Sequence, residues 1–204
     1  VFAVWEIILA AGWPIWPLII ASVIAFAIIV ERFWALRASV VTPEQLLPEV
    51  QNWLKQGGVT RETLSRLEAH SLLGKVFASA LANMNNSREV TKEAIEETGR
   101  AVAHKLEQYL PTLGTIATVA PLLGLLGTVI GMVELFGSFT NSGHDVAQFA
   151  RGISVALYNT AAGIVVAVPS MIAYRYFRGK IDGFLVDMEQ QAVKLVEIIH
   201  GDRG

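Results

Sequence analysis

Apolar positions along the chain are gathered into three long blocks. Residues 12–30 carry no charge and are rich in Ile, Ala and Val, residues 112–133 form a second uncharged run, and residues 152–174 form a third. Each meets the requirement of roughly 20 apolar residues for a helix that crosses a bilayer. We therefore expect three spanning helices. Glu31 and Arg32 close the first run, and Trp13, Trp16, Phe33 and Trp34 lie near its ends, where amphipathic rings favour the headgroup zone.

Between the first two blocks the pattern changes to short amphipathic stretches. Pro43 and Pro48 mark the start of a segment running to Lys55, which Gly57 and Gly58 end. Short helices are expected over 61–70 and 72–84, with Asn85, Asn86 and Ser87 as a break and cap. After it, Val90, Ala94, Thr98, Ala101 and Leu106 keep a helical stripe among charged residues, and this helix is expected to run on into the second span. Beyond the third block, Ile181, Phe184, Leu185, Met188, Ala192, Leu195 and Ile199 continue an amphipathic helix. The fold class read from this is an all-α integral membrane protein, with no strand pattern and no repeat.

Composition agrees, and charge adds direction. The 204 residues are 53% hydrophobic with a mean hydropathy of +0.48, high for a soluble domain. Of 16 Lys and Arg, none precedes Gly12 and only Arg151 lies in the segment that joins the second and third spans. The positive-inside rule then puts the N-terminus outside and the C-terminus in the cytoplasm. The expected layout is an external segment over 1–11, transmembrane helices over 12–36, 112–137 and 151–177, a cytoplasmic helical domain over 37–111, a short periplasmic loop over 138–150 and a cytoplasmic C-terminal helix over 178–204. Val1 stands where a start methionine is expected, and no cleavable signal peptide is evident. A net charge of -2 without a basic cluster gives no support for nucleic-acid binding. There are no cysteines, His70, His104 and His200 lack metal-ligand spacing, and no phosphate-binding motif occurs, so no metal or cofactor is expected.

The polar residues inside the spans are few. Gly127 and Gly131 have the spacing that lets helix backbones approach closely, Gly124 lies one turn earlier, and Pro121 removes a backbone donor. The bland reading of these positions is helix packing alone. Thr128 lies 11 residues from Phe139, and Thr160 lies 9 from Arg151. At about 1.5 Å per residue those are depths of roughly 16 and 14 Å, near the middle of a ~30 Å core. Two hydroxyls can thus share one level, although a spanning Thr often bonds only its own preceding turn. Asn159 needs a partner helix or water, and Ala156, Gly163 and Ala167 form a small-residue face beside Thr160. No ionisable residue occurs centrally in any span. Glu134, near the outer end of the second span, reads as an interfacial carboxylate, and His144 and Asp145 as solvated loop residues. An intramembrane hydrolase would need a base at membrane depth, so an enzyme is not expected.

The 120–131 motif, the 152–163 run and the Ala167-Val168-Pro169 that follows resemble the ExbB/TolQ/MotA proton-channel family, closest to the ExbB/TolQ type. The resemblance covers nearly the whole chain. It implies a homopentamer in the bacterial inner membrane whose second and third spans enclose a pore, with a single-span ExbD/TolR-like partner placing a protonatable Asp within it. Through a TonB/TolA-like protein, the proton motive force would drive import or envelope maintenance. Thr128 and Thr160 match the family's pore threonines, with Asn159, Ala156, Gly163 and Gly124 on the same pathway and Gly127, Gly131 and Pro121 in helix packing. Members commonly carry a Glu five residues before the second threonine, where this chain has Val155. The alternative is a passive scaffold that anchors a partner helix.

Overall fold

A computed structural model of the chain describes residues 8, 11–138 and 146–201. The predicted loop residues Phe139, His144 and Asp145, and most of the predicted external segment, lie outside them. The described residues form helices and the turns between them, with no strand among them: α1 (Ile15–Ala35), α2 (Ala38–Val41), α3 (Leu46–Lys55), α4 (Arg61–His70), α5 (Leu72–Ala82), α6 (Arg88–Leu106), α7 (Leu110–Ser138) and α8 (Val146–Ile199). Three helices are long and apolar enough to cross a membrane, over Ile15–Ala35, Leu110–Gly137 and Gly152–Ile199. Two compact units result, one of Val1–Val30 with Tyr109–Arg175, the other of Glu31–Gln108 with Tyr176–Gly204.

The first unit packs α1, α7 and the first part of α8. Its buried cluster is small, with Leu18, Ala120 and Ala167 at the centre and Leu123, Ala162 and Val166 against them. Large apolar side chains point outward instead, among them Ile20, Phe26, Leu122, Leu126, Val165 and Ile172. That inversion suits helices surrounded by hydrocarbon, where association relies on close packing of small residues because exposure of Leu or Ile costs nothing.

The second unit has the ordinary arrangement, with Phe77, Phe177, Leu67, Leu73, Ile181 and Leu195 fully buried. Three of its helices, α4, α5 and α6, start where the sequence offers caps. The Thr60 hydroxyl accepts from the Thr63 N–H, Ser71 from Gly74 and Ser87 from Val90, each satisfying an otherwise unpartnered first-turn donor. Glu89 is held below the usual carboxylate range by its own backbone N–H and by the Ser87 hydroxyl. Gly57, at φ 65°, ends α3 in a conformation that costs glycine little. Helices α5 and α6 are joined by the Ser79 hydroxyl, which donates to the Ala94 carbonyl at 3.0 Å.

One expectation fails here. The helix through Leu106 does not run on into the second span: α6 ends, Glu107–Tyr109 intervene, and Tyr109 takes a left-handed φ of 66°. Arg32 supplies a local reason. It is 4% exposed, pairs with Glu31, and donates from Nη1 to the Leu106 carbonyl at 3.1 Å, an acceptor that a continuing helix would use itself. Smaller differences are that the helix expected to Met84 ends at Ala82 and that α8 begins at Val146.

The closest approach in this unit is at Gly74, where a Cβ would lie 2.1 Å from the Leu67 carbonyl oxygen. Backbone cannot give way as a side chain can. Gly74→Ala is expected to destabilise the second unit by about 3 kcal/mol, at the upper end of overpacking costs. Denaturant unfolding of the detergent-solubilised chain followed by circular dichroism measures it, and a loss below about 0.5 kcal/mol, the range of neutral surface changes, would contradict the packing described.

Candidate functional site

Helices α7 and α8 run antiparallel in close contact, and their glycines record the register. A Cβ on Gly114 would lie 3.1 Å from Tyr174, one on Gly163 2.6 Å from the Ala120 carbonyl, one on Gly124 2.7 Å from the Asn159 carbonyl, and one on Gly152 2.7 Å from Leu135. As the number on one helix rises, its partner's falls. Gly127 belongs to the same line, with the space a Cβ would need taken by the Asn159 side chain at 2.8 Å. Gly131 is looser, its nearest neighbour being the Ala156 Cβ at 3.7 Å. Pro121 sits half-buried inside α7, one residue after the carbonyl that Gly163 approaches.

This proximity brings the two threonines together. Thr128 and Thr160 share a hydrogen bond between their hydroxyls, and either can donate. Thr128 Oγ1 also lies 3.0 Å from the Ala156 carbonyl on α8 and 3.2 Å from the Gly124 carbonyl on its own preceding turn. Other span hydroxyls behave differently. Thr115, Thr118, Ser154 and Ser170 each donate only to carbonyls three or four residues back. Thr128 does this and reaches across as well. Because a hydroxyl has one proton and two lone pairs, Thr128 can donate to only one of its three oxygen neighbours at a time, while its lone pairs can accept from the Thr160 hydroxyl. The pair is therefore a short hydrogen-bond chain with more than one proton arrangement.

Asn159 is fully buried. Its amide donates to the Ala11 carbonyl at 2.9 Å and to the Val155 carbonyl at 3.2 Å, while Oδ1 lies against Gly127. Its contacts are thus with the segment ahead of α1 and with α7, and Ala11 is the partner that sequence reasoning did not name. A signal existed, since the backbone turns at Gly12, φ 74°, leaving the Ala11 carbonyl outside the α1 ladder. Ala156 is buried and contributes its carbonyl, and Glu134 is exposed near the far end of α7.

The sequence profile of the MotA/TolQ/ExbB proton channel family matches residues 68–190, which include α7 and the facing part of α8. The chain belongs to this family. Among its relatives in the MotA/TolQ/ExbB family, an ExbB-like biopolymer transport protein of Synechocystis sp. is 29% identical over 82% of this chain and 67% of its own length. An ExbB homolog of Methanothermobacter thermautotrophicus is 30% identical over 79% of this chain and 58% of its own. The Tol-Pal system protein TolQ of Pseudomonas aeruginosa is 29% identical over 80% and 76%. The chain thus spans roughly two thirds or less of the first two relatives.

The contact that joins the threonines predicts a graded response to methyl groups. Gly163→Ala and Gly124→Ala should each weaken helix association by about 1–3 kcal/mol, less up to about 1 kcal/mol returned by the better helix propensity of Ala. Gly131→Ala, with ordinary contact distance around it, should be neutral or slightly stabilising. Unfolding in mixed detergent micelles checks the ordering, and equal losses at Gly131 and Gly163 would overturn the register.

Proposed function

We propose that this chain is the proton-channel subunit of an inner-membrane energy-transducing complex. The observation that carries the reading is the hydroxyl pair joining α7 and α8, in spans whose central parts hold no ionisable residue. Threonine hydroxyls can solvate or relay a proton but do not themselves titrate near neutral pH. A group that takes up and releases the proton must then come from a second chain. An ExbD/TolR-like single-span partner bearing an Asp fits that requirement, and relatives described as a biopolymer transport protein and a Tol-Pal system protein support the comparison.

In this reading five copies surround the partner helices, with α7 and α8 as the wall and Thr128 and Thr160 supplying polarity at one level. Gly124, Gly163 and Ala156 keep the two helices close enough for that polarity to be shared, while Gly127, Gly131 and Pro121 shape the packing. Asn159, first read as part of the pathway, is better supported as a buried strut from α8 to the Ala11 carbonyl. The exposed apolar side chains of all three spans provide surface for neighbouring copies and lipid. In this reading the N-terminus is periplasmic and the C-terminus cytoplasmic, which the distribution of Lys and Arg supports. Proton flow moves the partner, and a TonB/TolA-like protein carries the work to import or envelope maintenance.

The passive scaffold makes a different prediction for the isosteric changes Thr128→Val and Thr160→Val, which remove hydroxyls and keep shape. On the channel reading, each lowers proton flux through the complex with its partner by about a hundredfold or more, the lower end of what a positioned proton-transfer group contributes. Assembly size and thermal stability change little. Flux in liposomes with an internal pH dye measures the first, and mass determination of the purified complex the second. Wild-type flux in the doubly substituted, fully assembled complex would falsify the channel role of the pair.

A further inference from the structure

A recess in the second unit is unrelated to the threonine pair. It is a cavity of about 340 Å³ lined by the end of α1 and the chain after it, by the residues just before α7, and by the start of α5. Glu31 and Arg32 close the first apolar span, and Lys105 to Gln108 precede the second, so two chain segments that meet the bilayer edge both line this cavity. With α1 and α7 in the membrane, the cavity is lined by residues that border their ends in the chain, and so border the headgroups. Trp34, exposed with the Arg37 guanidinium 4.2 Å from its ring centroid, marks the same level on α1.

Its lining has two characters. The guanidinium of Arg32, fixed by Glu31 and by the Leu106 carbonyl, forms a rigid and locally neutralised part of the wall. Lys75 and Lys105 add two ammonium groups that make no ion pair among the described residues, against one further carboxylate, the exposed Glu68, with His70 beside it. Lys75 stands in the first turn of α5, whose N-terminus at Ser71 and Leu72 turns the positive end of its dipole to the cavity. The rest of the wall is apolar, from Ala35, Leu36, Val40 and Leu106. A free phosphate gains nothing from such a wall, whereas the glycerol and first methylenes of a lipid do.

We propose that this cavity binds the phosphodiester headgroup of an anionic phospholipid, with Lys75, Lys105 and the α5 N-terminus facing the phosphate. The inference rests on α1 and α7 lying in the membrane, and on the proposed orientation only in assigning the lipid to the cytoplasmic leaflet. It does not depend on proton conduction.

Lipid binding to the purified full-length protein is read by native mass spectrometry, with phosphatidylglycerol, phosphatidylcholine and inorganic phosphate as separate probes. Phosphatidylglycerol should bind in preference to phosphatidylcholine, and millimolar phosphate should not displace it. Lys75→Gln with Lys105→Gln should weaken phosphatidylglycerol binding about 30-fold, or about 2 kcal/mol at about 1 kcal/mol per cation near the surface, while Lys75→Arg with Lys105→Arg retains it. Should the doubly neutral variant misfold, Lys105→Gln alone, on an exposed side chain, should cost about fivefold. Unchanged affinity in the folded Gln variant, equal binding of phosphatidylcholine, or displacement by inorganic phosphate would each overturn the proposal.

Discussion

The contact on which the candidate site depends is the approach of two backbones, α7 to α8, at distances that leave no room for a Cβ. Within hydrocarbon a hydroxyl finds no water, so it bonds its own helix or a neighbour that comes close enough. At Gly124, Gly127 and Gly163 the neighbour does come close enough. Thr128 then reaches the Ala156 carbonyl and the Thr160 hydroxyl, neither of which it could meet across a spacing set by Leu or Val. The glycines and the threonines are therefore parts of one arrangement. Packing supplies the distance and the hydroxyls use it.

The same constraint sorts the other polar groups of the spans. Thr115, Thr118, Ser154 and Ser170 bond back along their own helices, which removes their polarity from the contact. Asn159 has more bonding capacity than one preceding carbonyl can absorb, and it spans to Ala11. A buried amide of this kind fixes geometry strongly, because breaking its bond to Ala11 takes that partner from the carbonyl and leaves the amide only its own preceding turn to donate to. Two adjacent residues on α8 thus hold different elements: Thr160 binds α7, and Asn159 binds the segment ahead of α1.

Much of this was legible in the sequence because hydrophobic length and cap chemistry are local signals. The three apolar blocks, the caps at Ser87 and Gly57, and the α4 boundaries all follow from residues within a few positions of one another. The two threonines could be placed at one depth by counting residues along the helices. What was not legible is what distant residues decide. Pro111, which could not donate to the Glu107 carbonyl in a continuous helix, was a local sign of the break before α7; the Arg32 bond to Leu106, 74 residues away in sequence, that accompanies it was not legible. The target of Asn159 lies 148 residues away, and no periodicity could have named it.

Placing hydroxyls where a carboxylate could have stood has a physical consequence for the proposed motor. A carboxylate buried in hydrocarbon holds its proton tightly unless a cation or several donors stabilise the anion. A hydroxyl pair stores no charge near neutral pH, so on the proposed reading the wall carries no charge at the level of Thr128 and Thr160. Thr128, with three oxygens in reach and one proton to give, can turn toward a passing carboxylate without leaving the Ala156 carbonyl permanently unsatisfied, because that carbonyl also lies in the α8 ladder. In that proposal charge belongs to the moving partner and polarity to the fixed wall. On the proposed reading, that separation lets protonation of one group change its fit against the wall, which is the coupling a proton-driven machine requires.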